Sequence, residues 1–294
     1  GWFAAREPAS PSRSWPLPAA PEARARPVLA KRWSMSHFGM PVSQYMTTSI
    51  ESVHPTDDLE SVQRALSSQA FSAVAVVDER ERLVGVVSRT DLLRVGQRQA
   101  STRSGATVLV LPRKPVHEVM EPDVLTVSAE TSVAEAAKLM LRHRVHRVFV
   151  EIDGHLAGVV STKDLMTAVI ETRLTETIGK FMSHPVFSVS FDDSLAVAIE
   201  RLDKAHVSGL VVMEDDWPIG VFTQVEALEA KDLPRDTQVE QALSPAMLCL
   251  DVDTSLYRAA QQAAAMDARR IIAVKNRRLE GILTGLDFAR AASS

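Results

Sequence analysis

Four segments of the chain follow one layout, which confines it to architectures made by repeating a small unit. Each segment opens with a methionine near a short helix end: SQYM at Met46, HEVM at Met120, GKFM at Met182 and SPAM at Met247. A short extended run follows, SIESV, VLTVS, VFSVS or LCLDV, and then a polar pair and a helical pattern. The helical stripes align without gaps. Leu59, Val62 and Leu66 match Val133, Ala136 and Met140, then Leu195, Ala198 and Leu202, then Leu256, Ala259 and Ala263. A spacing of three and then four puts each trio on one buried face. The residues just before each stripe are good N-caps: Asp57 and Asp58, Thr131 and Ser132, Asp193 and Ser194, Thr254 and Ser255.

Eight residues after each stripe a β-rich run begins, at Val74, Val148, Leu210 and Ile271. A polar turn leads to a second short strand with glycine at 85, 158, 220 or 281, and another helix closes the unit. Each unit therefore reads β-α-β-β-α. At about 60 residues it is too small to be comfortably stable alone, so the units should pair. The expected fold class is α/β (α+β), with units at about 41–98 and 115–172 forming a first pair over 41–175. Units at about 176–231 and 238–292 form a second pair over 176–294. Between the first two units the join QRQASTRSGATVLVLPRKP is longer than the others, and its apolar VLVL either adds a strand or docks on the pair.

Residues 1–40 are a different material. Six of the fifteen prolines precede residue 28, and residues 1–34 carry +4 against −8 for the remainder. No helical or strand period survives at that proline density, so the segment reads as disordered. A targeting peptide is the alternative, because it is arginine-rich and acid-poor, although it lacks an apolar stretch. With Gly1 first, the chain reads as a fragment, a processed product or a start placed too far upstream; Met35 and Met40 are candidate starts.

Composition removes several function classes. No run approaches the ~18 apolar residues of a membrane span. One cysteine, Cys249, excludes a disulfide framework or cysteine-rich zinc site and suits a reducing, cytoplasmic setting. Aromatics are only 5%, and the net charge is −4, which supplies neither a stacking platform nor a basic footprint for nucleic acid. No nucleophile elbow, phosphate-binding loop or HExxH motif occurs, so no enzyme activity is expected.

The second strand of each unit closes on GVVSRTD (85–91), GVVSTKD (158–164), GVFTQVE (220–226) or GILTGLD (281–287). A hydroxyl followed three residues later by an acid is, taken once, a capping box. Its fourfold recurrence at one place, with Asp in three cases, admits a second reading. A helix N-terminus beside a hydroxyl suits an anion, and an Asp there can accept hydrogen bonds from the vicinal diol of a ribose.

On these residues the units resemble CBS motifs, and each pair resembles a Bateman module, over about residues 40–291. The resemblance implies a regulatory module that binds AMP, ADP, ATP or S-adenosylmethionine between units, with Mg only alongside ATP, and passes a conformational change to a partner protein. It also implies a homo-oligomer, a dimer by preference. Carried over by position, the second unit holds the fullest site: Thr126 near the base, Ser161, Lys163 and Asp164 at the corner, and His146 and Arg147, which resemble the phosphate-contacting pair of the gamma subunit of AMP-activated protein kinase. The first unit keeps Ser88, Arg89, Thr90 and Asp91 but has Ser72-Ala73 in place of His-Arg. In the fourth, Thr284 and Asp287 go with Arg269 and Arg270. The third, with Thr223, Glu226 and Ser208-Gly209, is expected to be degenerate.

His143 and His146 lack a third ligand nearby, so no metal site is expected. Cys249 lies between Leu248 and Leu250, as a small half-buried residue would. Two further readings stay open: an assembly scaffold without a physiological ligand, and a transcription-associated regulator, although no DNA-binding helix pair remains once the units are assigned.

Overall fold

The computed structural model describes residues 38–68, 72–100 and 107–294. The proline-rich N-terminal segment lies outside the described residues, and so does the disorder expected of it.

All four units form as the periodicity predicts. The first comprises β1 (Ser52–Val53), α1 (Leu59–Ser68), β2 (Ala73–Val77), β3 (Leu83–Ser88) and α2 (Arg89–Val95), followed by a hairpin of β4 (Gln97–Ala100) and β5 (Thr107–Val110). The second comprises β6 (Thr126–Ser128), α3 (Val133–His143), β7 (Arg147–Ile152), β8 (His155–Ser161) and α4 (Thr162–Glu171). A one-turn α5 (Ile178–Phe181) leads into β9 (Ser188–Ser190), α6 (Leu195–Ala205), β10 (Gly209–Glu214), β11 (Trp217–Thr223) and α7 (Gln224–Glu229). The last unit is β12 (Leu248–Asp251), α8 (Leu256–Ala265), β13 (Ile271–Lys275), β14 (Arg278–Leu283) and α9 (Gly285–Ala292). In each unit the first strand runs parallel to the second, and the second pairs antiparallel with the third.

All twelve stripe residues are buried, none more than 5% exposed. At roughly 1.5–3 kcal/mol for each large side chain removed from water, this stripe is a principal driving force for every unit. The anticipated caps are present in three forms. Ser132 accepts from Glu135 N, Ser194 accepts from Val197 N, and Asp58 Oδ1 accepts from Ser61 N at 2.8 Å. Ser255 holds the N-cap position of α8 without a side-chain bond.

The segment that leads into each unit packs on the partner unit. Val42 N donates to Thr131 O at 2.8 Å, and Thr47 and Val159 exchange backbone bonds, so the first lead-in lies on the second unit. The segment before β6 returns the exchange, with Val116 N donating to Asp57 O and Val86 paired with Glu121. The second pair repeats the pattern through Thr177–Ser255, Ser183–Ile282, Ser194–Gln238 and Val221–Ser244 bridges.

This exchange accounts for two recurring residues at once. A Cβ on Gly85 would stand 2.6 Å from Met120 Sδ, and one on Gly158 would stand 2.6 Å from Met46 Sδ. Gly281 meets Met182 in the same way. These three strand glycines are thus the seats for the lead-in methionines of the other units. The last lead-in corrects the sequence alignment: Gly220 is met by Leu243 Cδ1 at 2.6 Å, so Leu243, and not Met247, holds the methionine position. In the long join, both expectations for VLVL hold. It forms β5 against β4, and Leu109 and Leu111 pack on the first unit's core.

The pairs meet asymmetrically. The second and fourth units share one apolar core, running from Met140, Leu165 and Val169 to Leu256, Ile271 and Phe288. The first and third keep separate cores. They touch through α2 and α7, where Lys231 Nζ donates to Leu93 O at 2.8 Å and to Gly96 O. A lysine on the C-terminal carbonyls of α2 suits the negative end of that helix.

Candidate functional site

The strand-to-helix corners were the candidate sites, and all four are capping boxes. In the second unit Ser161 N and Ser161 Oγ both donate to Asp164 Oδ2 at 2.7 Å. Ser88 does the same to Asp91 Oδ2, at 2.8 Å from N and 2.5 Å from Oγ. Thr284 N donates to Asp287 Oδ2 at 2.6 Å, and its hydroxyl donates at 2.9 Å. Thr223 and Glu226 form the same box, so the longer acid still reaches back to its cap. Local capping therefore explains the hydroxyl and one carboxylate oxygen at every corner.

What distinguishes the corners is the other oxygen. Asp91 Oδ1 accepts from Arg94 Nη1 at 3.0 Å. Asp287 is only 1% exposed, and its Oδ1 is taken by Ser183 Oγ at 2.7 Å and by Arg290 at 3.0 Å. Among the three aspartates, Asp164 is the one whose Oδ1 meets no other side chain in the described structure. It is half-buried. Burial raises its pKa above the ordinary carboxylate value, against the opposing pull of the Ser161 bonds and Lys163. A carboxylate kept desolvated in this way is a functional-site signal.

Cations gather between the corners, and the carboxylates near them are Asp91 for Arg147 and Glu226 for Arg270. The β7–β8 register sets Arg147 opposite Ser161, whereas Ala73 faces Ser88 and Gly209 faces Thr223. Arg147 crosses its pair to donate to Ser72 Oγ at 2.9 Å, meeting the residue that stands where the second unit has His146. Arg270 reaches across the other pair in the same way, its Nη2 lying 3.4 Å from where a Gly209 Cβ would stand. The crowding of protein around the His146 ring, then the charges of Arg147, Arg270 and Arg269, hold its pKa below the ordinary 6.5. Burial lowers Arg147 and Arg270 as well, and Arg269 adds to both shifts. Asp91 partly offsets the first, and Glu226 the second.

Contacts between the pairs close the corner. Lys163 Nζ lies 2.5 Å from Asp267 Oδ1. Thr162 Oγ1 occupies the place a Cβ on Gly285 would need, so glycine there lets the start of α9 approach the start of α4. Thr126 is exposed on β6, in register with Phe149 of β7, two residues along from Arg147. Arg89 and Thr90 lie in the first turn of α2, and no cation faces that corner's hydroxyl in the ladder. Sequence reasoning missed Asp267 and Arg94. The Arg94–Asp91 pair was visible as an i, i+3 spacing, but nothing local marks Asp267 as a neighbour of Lys163.

Among the described residues, no group of three or more His, Cys, Asp or Glu converges as a metal centre would. Nor is any described helix long and apolar enough to cross a membrane. Cys249 is half-buried in β12, and burial raises its thiol pKa, so nothing primes it as a nucleophile.

A chain of repeated β-α-β-β-α units, paired by exchanged lead-ins with a polar corner at each second strand, defines a protein of paired repeat modules. The family model for the CBS domain matches residues 42–98, 116–171 and 178–232, more than half of the chain, and the chain belongs to that family. The fourth unit lies outside those matches, and its strand order and capping box identify it by structure. An uncharacterized 33.4 kDa protein in the ribosomal RNA operon of Thermofilum pendens is 28% identical over 66% of this chain and 65% of its own length. Protein MJ1404 of Methanocaldococcus jannaschii is 24% identical over 85% of this chain and 61% of its own. The chain thus spans less than two thirds of each of these relatives. Among solved structures, protein MJ1225 of the same archaeon shares the fold with a TM-score of 0.68 at 16% identity, over 85% of this chain and 99% of that one.

Proposed function

We propose that the chain is a ligand-sensing regulatory module whose principal site is the corner of the second unit, and that it takes an adenosine-containing ligand carrying phosphate. The observation that carries this reading is Asp164, whose Oδ1 meets no other described side chain, beside Lys163, with Arg147 in register with Ser161 and with Arg269 and Arg270 near His146. A carboxylate oxygen without another side-chain partner accepts from a sugar diol, while the nearby cations and the start of α4 meet negative charge. AMP, ADP and ATP suit that arrangement. S-adenosylmethionine brings the ribose without the phosphate and gains less from the cations. Mg enters only with ATP, and no resident cofactor is required.

The corners of Asp91 and Asp287 offer less, because their second oxygens are already bonded, and Glu226 at the third lies nearer Arg270. One strong site per chain is therefore the expectation. Ligand held between pairs biases their relative arrangement, and a partner protein that prefers one arrangement is switched. The effect is bounded by the ligand's differential affinity, typically about 1–3 kcal/mol. A homodimer in the cytoplasm is the assembly we propose, to be tested by solution sizing with and without ATP.

A second reading is an assembly scaffold, favoured by the four complete capping boxes. Thermal melting of the full chain with AMP, ADP, ATP, S-adenosylmethionine and GTP separates the two. A ligand at a hundred times its Kd adds about 2.7 kcal/mol, and a shift of about 5–10 °C follows for a structure of this size. No shift with any adenosine compound leaves the scaffold.

A further inference from the structure

In the second, third and fourth units, position four after the last stripe residue follows the main helix with a positive φ. In the second unit that residue is Arg144, with φ 54°, and in the third it is His206, with φ 50°. Both sit at the negative end of a helix, where a basic group is favoured. In the fourth unit the same position is Asp267, with φ 49°. It comes just after the last residues of α8, where a carboxylate faces the wrong end of the helix dipole. A residue that breaks a local rule points to a compensating role elsewhere.

That role is visible across the junction between pairs. Asp267 has a left-handed backbone, and its Oδ1 meets Lys163 Nζ of the second unit at 2.5 Å. Lys163 lies between Ser161 and Asp164 in the first turn of α4, with its own N–H donating to Ser161 Oγ at 3.2 Å. The segment that carries Asp267 also carries Arg269 and Arg270. One loop of the fourth unit thus brings Arg269 near His146 and Arg147, sends Arg270 toward the third unit, and supplies a carboxylate that neutralises Lys163.

Resting on the proposed ligand site, we propose that Asp267 is an internal anion that holds Lys163 and yields it to a phosphate, so that ligand binding exchanges a bond between the pairs for a bond to the ligand. Both side chains are exposed, Lys163 at 52% and Asp267 at 72%, and an exposed ion pair is weak and readily exchanged. A phosphate carries more charge than a carboxylate and accepts from Arg147, Arg269 and Lys163 together. Asp267 would otherwise stand against that phosphate as a like charge. The device sets a threshold that depends on ligand charge: adenosine passes it by, AMP meets it, and ATP overcomes it best. It also ties occupancy to the contact between pairs, the property a sensor has to report.

The test is isothermal calorimetry of the full chain and its Asp267→Asn and Asp267→Ser variants with adenosine, AMP and ATP, at fixed ionic strength. Because Asp267 is exposed, both variants are expected to melt within a few degrees of the parent, and two replacements guard against a fold defect in either. Expected is ATP binding tightened about threefold to tenfold in both, with a smaller gain for AMP and none for adenosine. In a Lys163→Met background the Asp267→Asn change should no longer tighten ATP binding, which is the signature of direct coupling. If the parent binds ATP and the variants bind it equally or more weakly, Asp267 is not a competing anion and the inference fails alone. If neither parent nor variants bind any nucleotide, the proposed ligand site falls and takes the inference with it.

Discussion

Asp164→Asn combined with a ligand lacking its ribose hydroxyls isolates the bond on which the proposed site depends. Asp164 Oδ2 is spent on Ser161, which donates to it twice at 2.7 Å, so any recognition of a diol falls to Oδ1. A hydrogen bond to a charged acceptor is worth roughly 1.5–3 kcal/mol. Asparagine keeps one acceptor for the cap but presents an amide to the ligand, so at least one such bond is lost and ATP affinity should fall about 10- to 150-fold. On the parent, 2′,3′-dideoxy-ATP should lose a similar amount. On the variant, removing the hydroxyls should cost little, giving a coupling of about 1.5–3 kcal/mol across the cycle. Stability serves as the control. Burial raises the Asp164 pKa, so the folded parent binds this proton more readily than the unfolded chain. Its contribution to stability therefore falls as pH rises from the ordinary 3.8 through the raised value. The variant lacks that fall, and the cost of weakening the cap, about 0.5–2 kcal/mol, is partly offset at neutral pH. Additive losses with no coupling, measured by calorimetry, would refute ribose recognition by Asp164 even if ATP binds.

Three other perturbations test the fold and its electrostatics. Gly220→Ala should destabilise more than Gly158→Ala, because the new Cβ meets Ser244 backbone oxygen at 2.8 Å in the first case and the flexible end of Met46 in the second; overpacking costs about 1–3 kcal/mol, and urea midpoints will rank the two. His146 has its pKa held below 6.5, so the unfolded chain takes up the proton first as pH falls. Stability should be intact above pH 6.5 and decline from there toward the lowered value, and His146→Gln should flatten that limb of the denaturation profile. Lys231→Met removes the donor to Leu93 O and Gly96 O between the first and third units. Amide exchange should quicken in α2 and β4 while α4, α8 and α9 keep their protection; uniform loosening of all five would show that the pairs open as one.

The elements were legible because their causes are local. A three-then-four apolar spacing makes a helix face wherever it occurs, and all twelve stripe residues are buried as that spacing requires. Hydroxyl and acid residues at helix starts cap the first turn of their own helix, and the hydrogen bonds of Ser132, Ser161 and Thr284 depend on neighbours three residues away. The same locality limited the site. Ser-x-x-Asp reads identically whether it caps a helix or grips a sugar, because the sequence does not say what meets the aspartate's second oxygen. That was decided by Arg94 at one corner and by Ser183 and Arg290 at another, while Asp164 Oδ1 meets no other described side chain.

Sequence alone determined that this chain is four copies of one β-α-β-β-α unit with a polar corner, since propensity, capping and hydrophobic period act over a few residues. Tertiary structure decided that Met46 sits on Gly158 and Met120 on Gly85, that Leu243 takes the place Met247 was expected to fill, and that Asp267 reaches Lys163. It also decided that the second and fourth units share a core while the first and third do not. These contacts join residues far apart in the chain, 112 positions for Met46 and Gly158 and 104 for Lys163 and Asp267, set by how surfaces and charges fit once the units meet, and no period in the chain encodes that fit.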